Sequence, residues 1–295
     1  MKAELIVDAP IIDKKKIWIK KIEKPYFDHP FHYHQVCELI WIEKGHGKLI
    51  AGDYVGNFSE GDLILQNAGL PHLYRSDPIF YDEKQRLVTK VTATYFSSSF
   101  VPNMIDDTVC VSLYKDALAK AERGLRFYGQ TKKNAIELIK KMINSVGLEQ
   151  LGYFLQVIHL IIHSKEFKFM AGASYKNNFS EGDVNRFNEV YQFLLQNFSQ
   201  EIMLSEIAGI CNMTSNSFCR FFKAKTQKTF TRFLNEIRIG QACKLLQNEE
   251  YPIKDIYYEC GYNSPVNFFK FFKLITGKTP KGYRENIKKM GTTSN

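Results

Sequence analysis

The most constraining feature of this chain is a duplication near its C-terminal end. Leu204, Ile207, Ala208 and Cys211 lie at i, i+3, i+4 and i+7, the spacing of one apolar helical face. Ile253, Ile256, Tyr257 and Cys260 repeat that pattern 49 residues later. A short turn follows each run, Asn212-Met213-Thr214 in the first and Gly261-Tyr262-Asn263-Ser264 in the second. The second turn is one residue longer, so the offset becomes 50. Phe218, Phe221, Phe222, Lys223 and Thr226 recur as Phe268, Phe271, Phe272, Lys273 and Thr276, and Lys228-Thr229 recurs as Lys278-Thr279. A duplication that carries a helical period with it reads as two copies of one helix–turn–helix unit.

The turn chemistry agrees. Gly261 adopts a positive φ without steric cost, and Asn212 tolerates it. Thr214 and Ser264 stand where the second helix of each unit needs an N-cap. The aromatic triplets at i, i+3, i+4 face inward, which leaves Asn216, Ser217, Cys219, Arg220 and Lys223 outward in the first unit. Val266, Asn267, Phe269, Lys270 and Lys273 are outward in the second. Arg220 and Lys270 can reach guanine edges or phosphates, and Val266 and Phe269 can meet thymine methyls. Core packing is the alternative for Phe269. Between the units, residues 230–247 carry helically spaced apolar positions and span roughly 27 Å as a helix. That length suits two recognition helices in successive major grooves, about 34 Å apart.

Charge points to the same segment. Residues 215–295 hold 15 Lys+Arg and 6 Asp+Glu, whereas residues 1–214 hold 25 of each. The whole net charge of +9 therefore sits on the duplicated end, which suggests a polyanionic partner. Charge alone leaves open a solvated basic face without a partner. Lys223, Lys225, Lys228, Lys273, Lys278 and Lys281 form the set from which phosphate contacts are expected.

Residues 253–284, IKDIYYECGYNSPVNFFKFFKLITGKTPKGYR, resemble the signature of AraC/XylS-type transcription regulators. The matching pieces are Ser264-Pro265, Phe271-Phe272-Lys273, Thr276-Gly277 and the terminal Thr279-Pro280-x-x-Tyr283-Arg284. The likeness extends back to about residue 184. It implies promoter binding through both units, with Asn216, Cys219, Arg220, Val266, Phe269 and Lys270 at base-facing positions. It also implies an RNA polymerase contact on activation. Two residues depart from the pattern. Gln227 replaces a usual glycine, which would strain the end of the first recognition helix, and Cys219 is a poor hydrogen-bonding reader.

The N-terminal half has a different period. Residues 39–43, 47–50, 62–66 and 88–96 are short apolar or alternating runs punctuated by Gly, Asp and Asn, which suggests a β-barrel or sandwich. Residues 112–167 read as two or three helices. Their apolar stripes are Ala135, Ile136, Ile139, Met142, Ile143 and Leu148, Leu151, Leu155, Ile158, Ile162. Within the barrel, His32-x-His34-x3-Glu38 and a later His72 have the ligand spacing of a cupin metal motif. His32 and His34, two apart on a strand, would point to one side with Glu38, and His72 would arrive from a neighbour. Such a set suits Fe(II), Mn(II), Ni(II) or Zn(II). The resemblance instead implies a cupin-like sensor barrel that keeps these histidines without a metal, for a small-molecule effector or for packing. No cofactor is then expected. Tyr33, Trp41 and Tyr74 flank the motifs and are candidates to line the cavity. His29, His46, His159 and His163 lack ligand spacing and read as surface or packing residues.

Several classes drop out. The longest apolar stretch, residues 151–162, is too short to span a bilayer, and the N-terminus lacks a signal-peptide layout. The six cysteines form no zinc spacing and fit a reducing cytoplasm. The resulting expectation is an α+β, two-domain chain. A cupin-like β-barrel (1–110) is followed by helices for packing or homodimerisation (111–170) and a linker (171–182). An all-α domain (183–295) then carries two helix-turn-helix units joined by a linker helix. The function expected is sequence-specific transcription regulation in the cytoplasm without catalysis. The alternative is a metal-dependent cupin enzyme with an accessory basic domain.

Overall fold

The computed structural model describes residues 17–27, 31–176, 181–248 and 250–285. The chain divides into two compact units, with the boundary between Phe179 and Ser180. His29 lies outside the described residues.

Among the described residues, the first unit contains two antiparallel sheets, three α-helices and two short 3-10 helices. The six-stranded sheet runs β1 (Ile17–Lys24), β7 (Thr89–Phe96), β2 (Cys37–Lys44), β5 (Leu63–Gln66), β8 (Leu125–Phe127), β9 (Phe167–Phe169). The three-stranded sheet runs β4 (Tyr54–Phe58), β3 (Gly47–Ala51), β6 (His72–Ser76). The expected strands appear as β2, β3, β5 and β7. The structure adds β1, whose mixed sequence IWIKKIEK lies half-exposed, β4 and β6, which complete the small sheet, and β8 and β9, which are too short to show a period.

Strand β2 explains how the layers are joined. Its odd residues Cys37, Leu39 and Trp41 pack with Leu63, Leu65 and Phe96 against the helices. Its even residues Ile40 and Ile42 pack with Leu49, Phe58, Ile64, Tyr74 and Val91 between the sheets. Burial on both faces accounts for a near-continuous apolar run where a half-exposed strand would alternate.

Helices α1 (Thr108–Ala121), α2 (Gly129–Ile143) and α3 (Gly147–Ile162) cover the outer face of the large sheet. Helix α2 buries Ala135, Ile139 and Met142, as its stripe predicts. Helix α3 turns a different face inward: Phe154, Val157, Ile158 and Ile161 are buried, and Leu148 is 86% exposed. Its sequence is apolar nearly all round, so periodicity could not select the face. The layer below it did. Beyond β9, Met170, Ala171 and Tyr175 join the core between the sheets. Gly172 N–H donates to Asp53 Oδ1 at 2.8 Å, and Arg123 donates to Ala171 O. Residues 171–175, composed like a linker, are therefore held to the barrel.

The second unit is helical: α4 (Glu181–Asn197), α5 (Leu204–Ile210), α6 (Ser215–Thr226), α7 (Phe230–Leu245), α8 (Ile253–Glu259) and α9 (Pro265–Thr276). Residues 280–285 are helical as well. The duplication persists at the level of single hydrogen bonds. Met213 N–H donates to Ala208 O, and Tyr262 N–H donates to Tyr257 O, each at 3.0 Å. Thr226 Oγ1 donates to Phe222 O (2.7 Å) and accepts from Lys228 N–H. Thr276 Oγ1 does the same with Phe272 (2.8 Å) and Lys278. Asn212 and Gly261 take the left-handed conformation in the turns, with φ of 53° and 78°. Gln227 and Gly277 take it at the helix ends, with φ of 58° and 75°.

Candidate nucleic-acid interface and barrel site

Each recognition helix is held by its aromatic face. Phe218 and Phe222 on α6, and Phe268 and Phe272 on α9, are fully buried. Phe222 packs edge-on to Phe230 and Phe233 of α7. Phe272 meets Tyr283 edge-on, while Arg284 donates to Tyr251 O at 2.6 Å. The terminal Tyr-Arg pair thus clamps the second unit. Thr214 caps α6 by accepting from Ser217 N–H at 3.3 Å. Ser264 occupies the N-cap of α9 without a side-chain cap bond, and Pro265 begins that helix.

With the aromatic faces inward, the opposite faces are set. Asn216, Cys219, Arg220 and Lys223 are exposed on α6, with Ser217 half-buried. Val266, Asn267, Phe269, Lys270 and Lys273 are exposed on α9. Val266 is 72% and Phe269 44% exposed, so Phe269 is not a core residue. Exposed apolar side chains among cations suit a surface that meets base edges and methyl groups.

Two lysines expected to meet phosphate are committed elsewhere. Lys225 Nζ lies 2.7 Å from Asp183 Oδ2, and Lys228 Nζ lies 2.7 Å from Glu236 Oε2. Glu236 also accepts from Arg232 Nε at 2.8 Å. Their carboxylate partners are brought in by α4 and α7, which spacing along the sequence does not reveal. Lys223, Lys273, Lys278 and Lys281 remain solvent-facing. Helix α7 also carries a buried amide that sequence reasoning missed. Tyr262 Oη donates to Asn235 Oδ1 at 2.6 Å, tying the second turn to the linker helix.

In the barrel the four expected residues converge. Ligand atoms of His32, His34 and His72 lie within 4.8 Å of one another. Glu38 Oε2 is 3.3 Å from His72 Nε2 and 3.7 Å from His34 Nε2. His32 and His34 do not lie on a regular strand. His32 forms a single β-bridge with His72, and His34 sits in the irregular segment leading to β2. Glu38 points between the sheets because it shares the parity of Ile40 and Ile42. Burial would raise its carboxyl, but the facing imidazoles of His34 and His72 hold it well below the usual carboxylate range. Tyr74 lines this cavity, as expected, with Ile22, Phe27, Val91, Ala93 and Tyr95. Trp41 packs toward the helices instead, and Tyr33 is not part of the lining. Gln66, fully buried and directly across from Glu38 on β5, was not anticipated. Its signal was a polar residue closing the apolar strand LILQ.

Of the remaining histidines, His46 pairs with Asp77 at 2.6 Å, and His163 is bonded to His159 O at 2.8 Å.

Comparison with known proteins agrees with both units. Residues 22–138 match the model of an AraC-like ligand binding domain, and residues 207–286 match that of a helix-turn-helix domain. The HTH-type transcriptional activator RhaR of Mannheimia succiniciproducens is 22% identical over 269 residues, spanning 90% of this chain and 91% of that protein. The uncharacterized HTH-type transcriptional regulator YdeC of Bacillus subtilis is 21% identical over 264 residues, spanning 87% and 86%. The Msm operon regulatory protein of Streptococcus mutans is 21% identical over 250 residues, spanning 84% of each. A chain with a histidine-containing barrel followed by two helix-turn-helix units that repeat their turn and helix-end hydrogen bonds, matched along most of its length by regulators, belongs to the AraC family of transcription regulators.

Proposed function

We propose that this regulator reads promoter DNA with the outward faces of α6 and α9, and that it acts by binding rather than by turnover. The carrying observation is that the duplication preserves its turn and helix-end hydrogen bonds and both aromatic anchors, so the two units present equivalent outward faces. Helix α7, 16 residues long, spaces them by about 24 Å of helix. Arg220 and Lys270 occupy matching positions and carry the strongest capacity for base readout. Asn216, Ser217, Cys219, Val266, Asn267 and Phe269 complete the reading faces, and Lys223 and Lys273 meet phosphates. Arg220→Ala and Lys270→Ala should each weaken binding by about 1–3 kcal/mol and relax sequence preference at one or two base pairs. A binding-site selection on each variant measures this, and unchanged preference in both would mean the faces are misassigned.

The regulator works as a homodimer in the cytoplasm and contacts RNA polymerase when it activates. No helix among the described residues is long and apolar enough to cross a membrane. The dimer reading is supported by an open apolar cleft of about 740 Å³ along α2 and α3, lined by Met104, Ile105, Leu138, Leu155, Leu160 and Ile162. The outward face of α3 feeds this cleft. Leu155→Glu should convert the sedimenting species to monomer, and a wild-type monomer at micromolar concentration would overturn the dimer.

A further inference from the structure

Helix α7 serves two cores. Phe230 and Phe233, in its first turn, pack edge-on to Phe222 of the first helix-turn-helix unit. Ile239, Ala242, Cys243 and Leu246, toward its far end, pack with Ile256, Phe268 and Phe272 of the second. Asn235 stands between these apolar stretches and is 4% exposed. A buried amide destabilises a fold unless its hydrogen bonds are made. Asn235 Nδ2 donates to Thr231 O at 2.7 Å, and Oδ1 accepts from Tyr262 Oη at 2.6 Å.

The duplication shows what the phenol is not for. Met213 is the counterpart of Tyr262, and the backbone N–H of each makes the same turn bond at 3.0 Å. Met213 closes its turn without a hydroxyl, so the turn itself does not require one. The Tyr262 hydroxyl is used instead on the helix that both units share. Two further contacts meet at the same place. Arg238 holds Phe198 O and Gln200 O, in the chain that follows α4, and its guanidinium lies 5.5 Å from the centre of the Tyr262 ring. Gly261, beside Tyr262, approaches that same backbone so closely that a Cβ would lie 2.7 Å from Phe198 O. The second turn, the linker helix and the lead-in to the first unit therefore meet in one polar joint.

Polarity matters here because it has direction. Apolar surfaces repack with small shifts, whereas a hydrogen bond holds only over a narrow range of distance and angle. Fixing register is the best-attested role of a polar contact buried where apolar side chains would fit. Two reading helices need a fixed register. One base pair more or less between the contacted DNA segments moves one segment by about 3.4 Å along the duplex and about 35° around it.

We propose that Asn235 and Tyr262 are positioning residues for operator recognition. Their hydrogen bond, braced by Arg238, fixes α9 relative to α6 and so sets the spacing of the two DNA segments that the protein accepts. This rests on the reading that both outward faces meet DNA.

The test uses the full chain and the operator recovered by binding-site selection, with one base pair inserted or deleted between its two contacted segments. The wild type should protect both segments and lose at least ~10-fold in affinity at either altered spacing, because one face is then out of place. Tyr262→Phe should remove most of that loss, with base preference inside each segment unchanged. It leaves Asn235 Oδ1 without its donor and should melt lower than the wild type. Asn235→Leu combined with Tyr262→Phe replaces both polar groups by apolar ones of similar shape and orphans neither. This double variant should recover melting temperature yet still tolerate the altered spacings. Discrimination that returns with stability in the double variant means that the bond serves stability alone, and overturns the proposal. Discrimination retained in both variants overturns it too. A wild type that protects both segments but accepts all three spacings overturns the joint and leaves the two-face reading standing. Protection of one segment alone overturns both.

Discussion

Raising salt from about 50 to 200 mM should weaken promoter binding on the order of 10²-fold. The figure follows from which cations the fold leaves free for phosphate. Lys223, Lys273, Lys278 and Lys281 are solvent-exposed, and Arg220 and Lys270 are assigned to base edges. Each phosphate neutralised adds a slope of about −0.9 in log affinity against log salt, so roughly four contacts across a fourfold salt change give that factor. Lys225 and Lys228 do not enter, because Asp183 and Glu236 already neutralise them. Fluorescence anisotropy with a labelled promoter fragment measures the slope. A flat curve would remove the electrostatic basis of the interface. A drop much steeper than these lysines allow would mean that the two paired lysines exchange partners on DNA.

Gly261→Ala should destabilise the helical unit by roughly 3 kcal/mol. Two costs add there. The φ of 78° is left-handed, which an alanine adopts at a cost of about 1 kcal/mol or more. A Cβ would also lie 2.7 Å from Phe198 O and 2.8 Å from Ser199 Cα. That backbone cannot easily retreat, since Arg238 donates to Phe198 O (2.7 Å) and to Gln200 O (2.8 Å). Gly277 provides the control. It has nearly the same φ, but a Cβ there meets nothing within 4 Å, so Gly277→Ala should cost only about 1 kcal/mol. Gln227, also left-handed, should gain up to about 1 kcal/mol on change to glycine. Both tryptophans, Trp18 and Trp41, lie in the first unit. Tryptophan fluorescence should therefore report an unshifted barrel transition, while the helical circular-dichroism transition moves. Equal costs at Gly261 and Gly277 would mean that the close approach to residues 198–199 is not part of the native fold.

How legible each part was follows from the range of the interactions that set it. The two helix-turn-helix units were readable because their determinants are local. A 3.6-residue period selects the face, a positive φ selects Asn212 or Gly261, and a threonine hydroxyl caps the next helix. Even Gln227 could be identified as a strained helix end from its place in the repeat. Helix α3 was readable as a helix but not as a packed surface. Leu151, Leu155 and Ile162 are as apolar as Phe154 and Val157, and only the sheet beneath distinguishes them. The short strands β8 and β9 carry no period of their own. They exist because β5 offers an edge to pair with.

The barrel site divides in the same way. Histidine spacing named His32, His34, Glu38 and His72. It could not show that His32 and His34 leave the regular strand, or that Gln66 stands opposite Glu38.

The sequence by itself determined the architecture of the DNA-binding unit, the location of the entire charge excess and the identity of the histidine cluster. Each depends on neighbours within a few turns of chain, or on simple counting. Only the tertiary structure decided which lysines remain for phosphate, which face of α3 is left outward, and which residues close around the histidine cluster. These outcomes depend on side chains that meet from distant segments, where a difference of about one ångström separates an ion pair from a solvated cation.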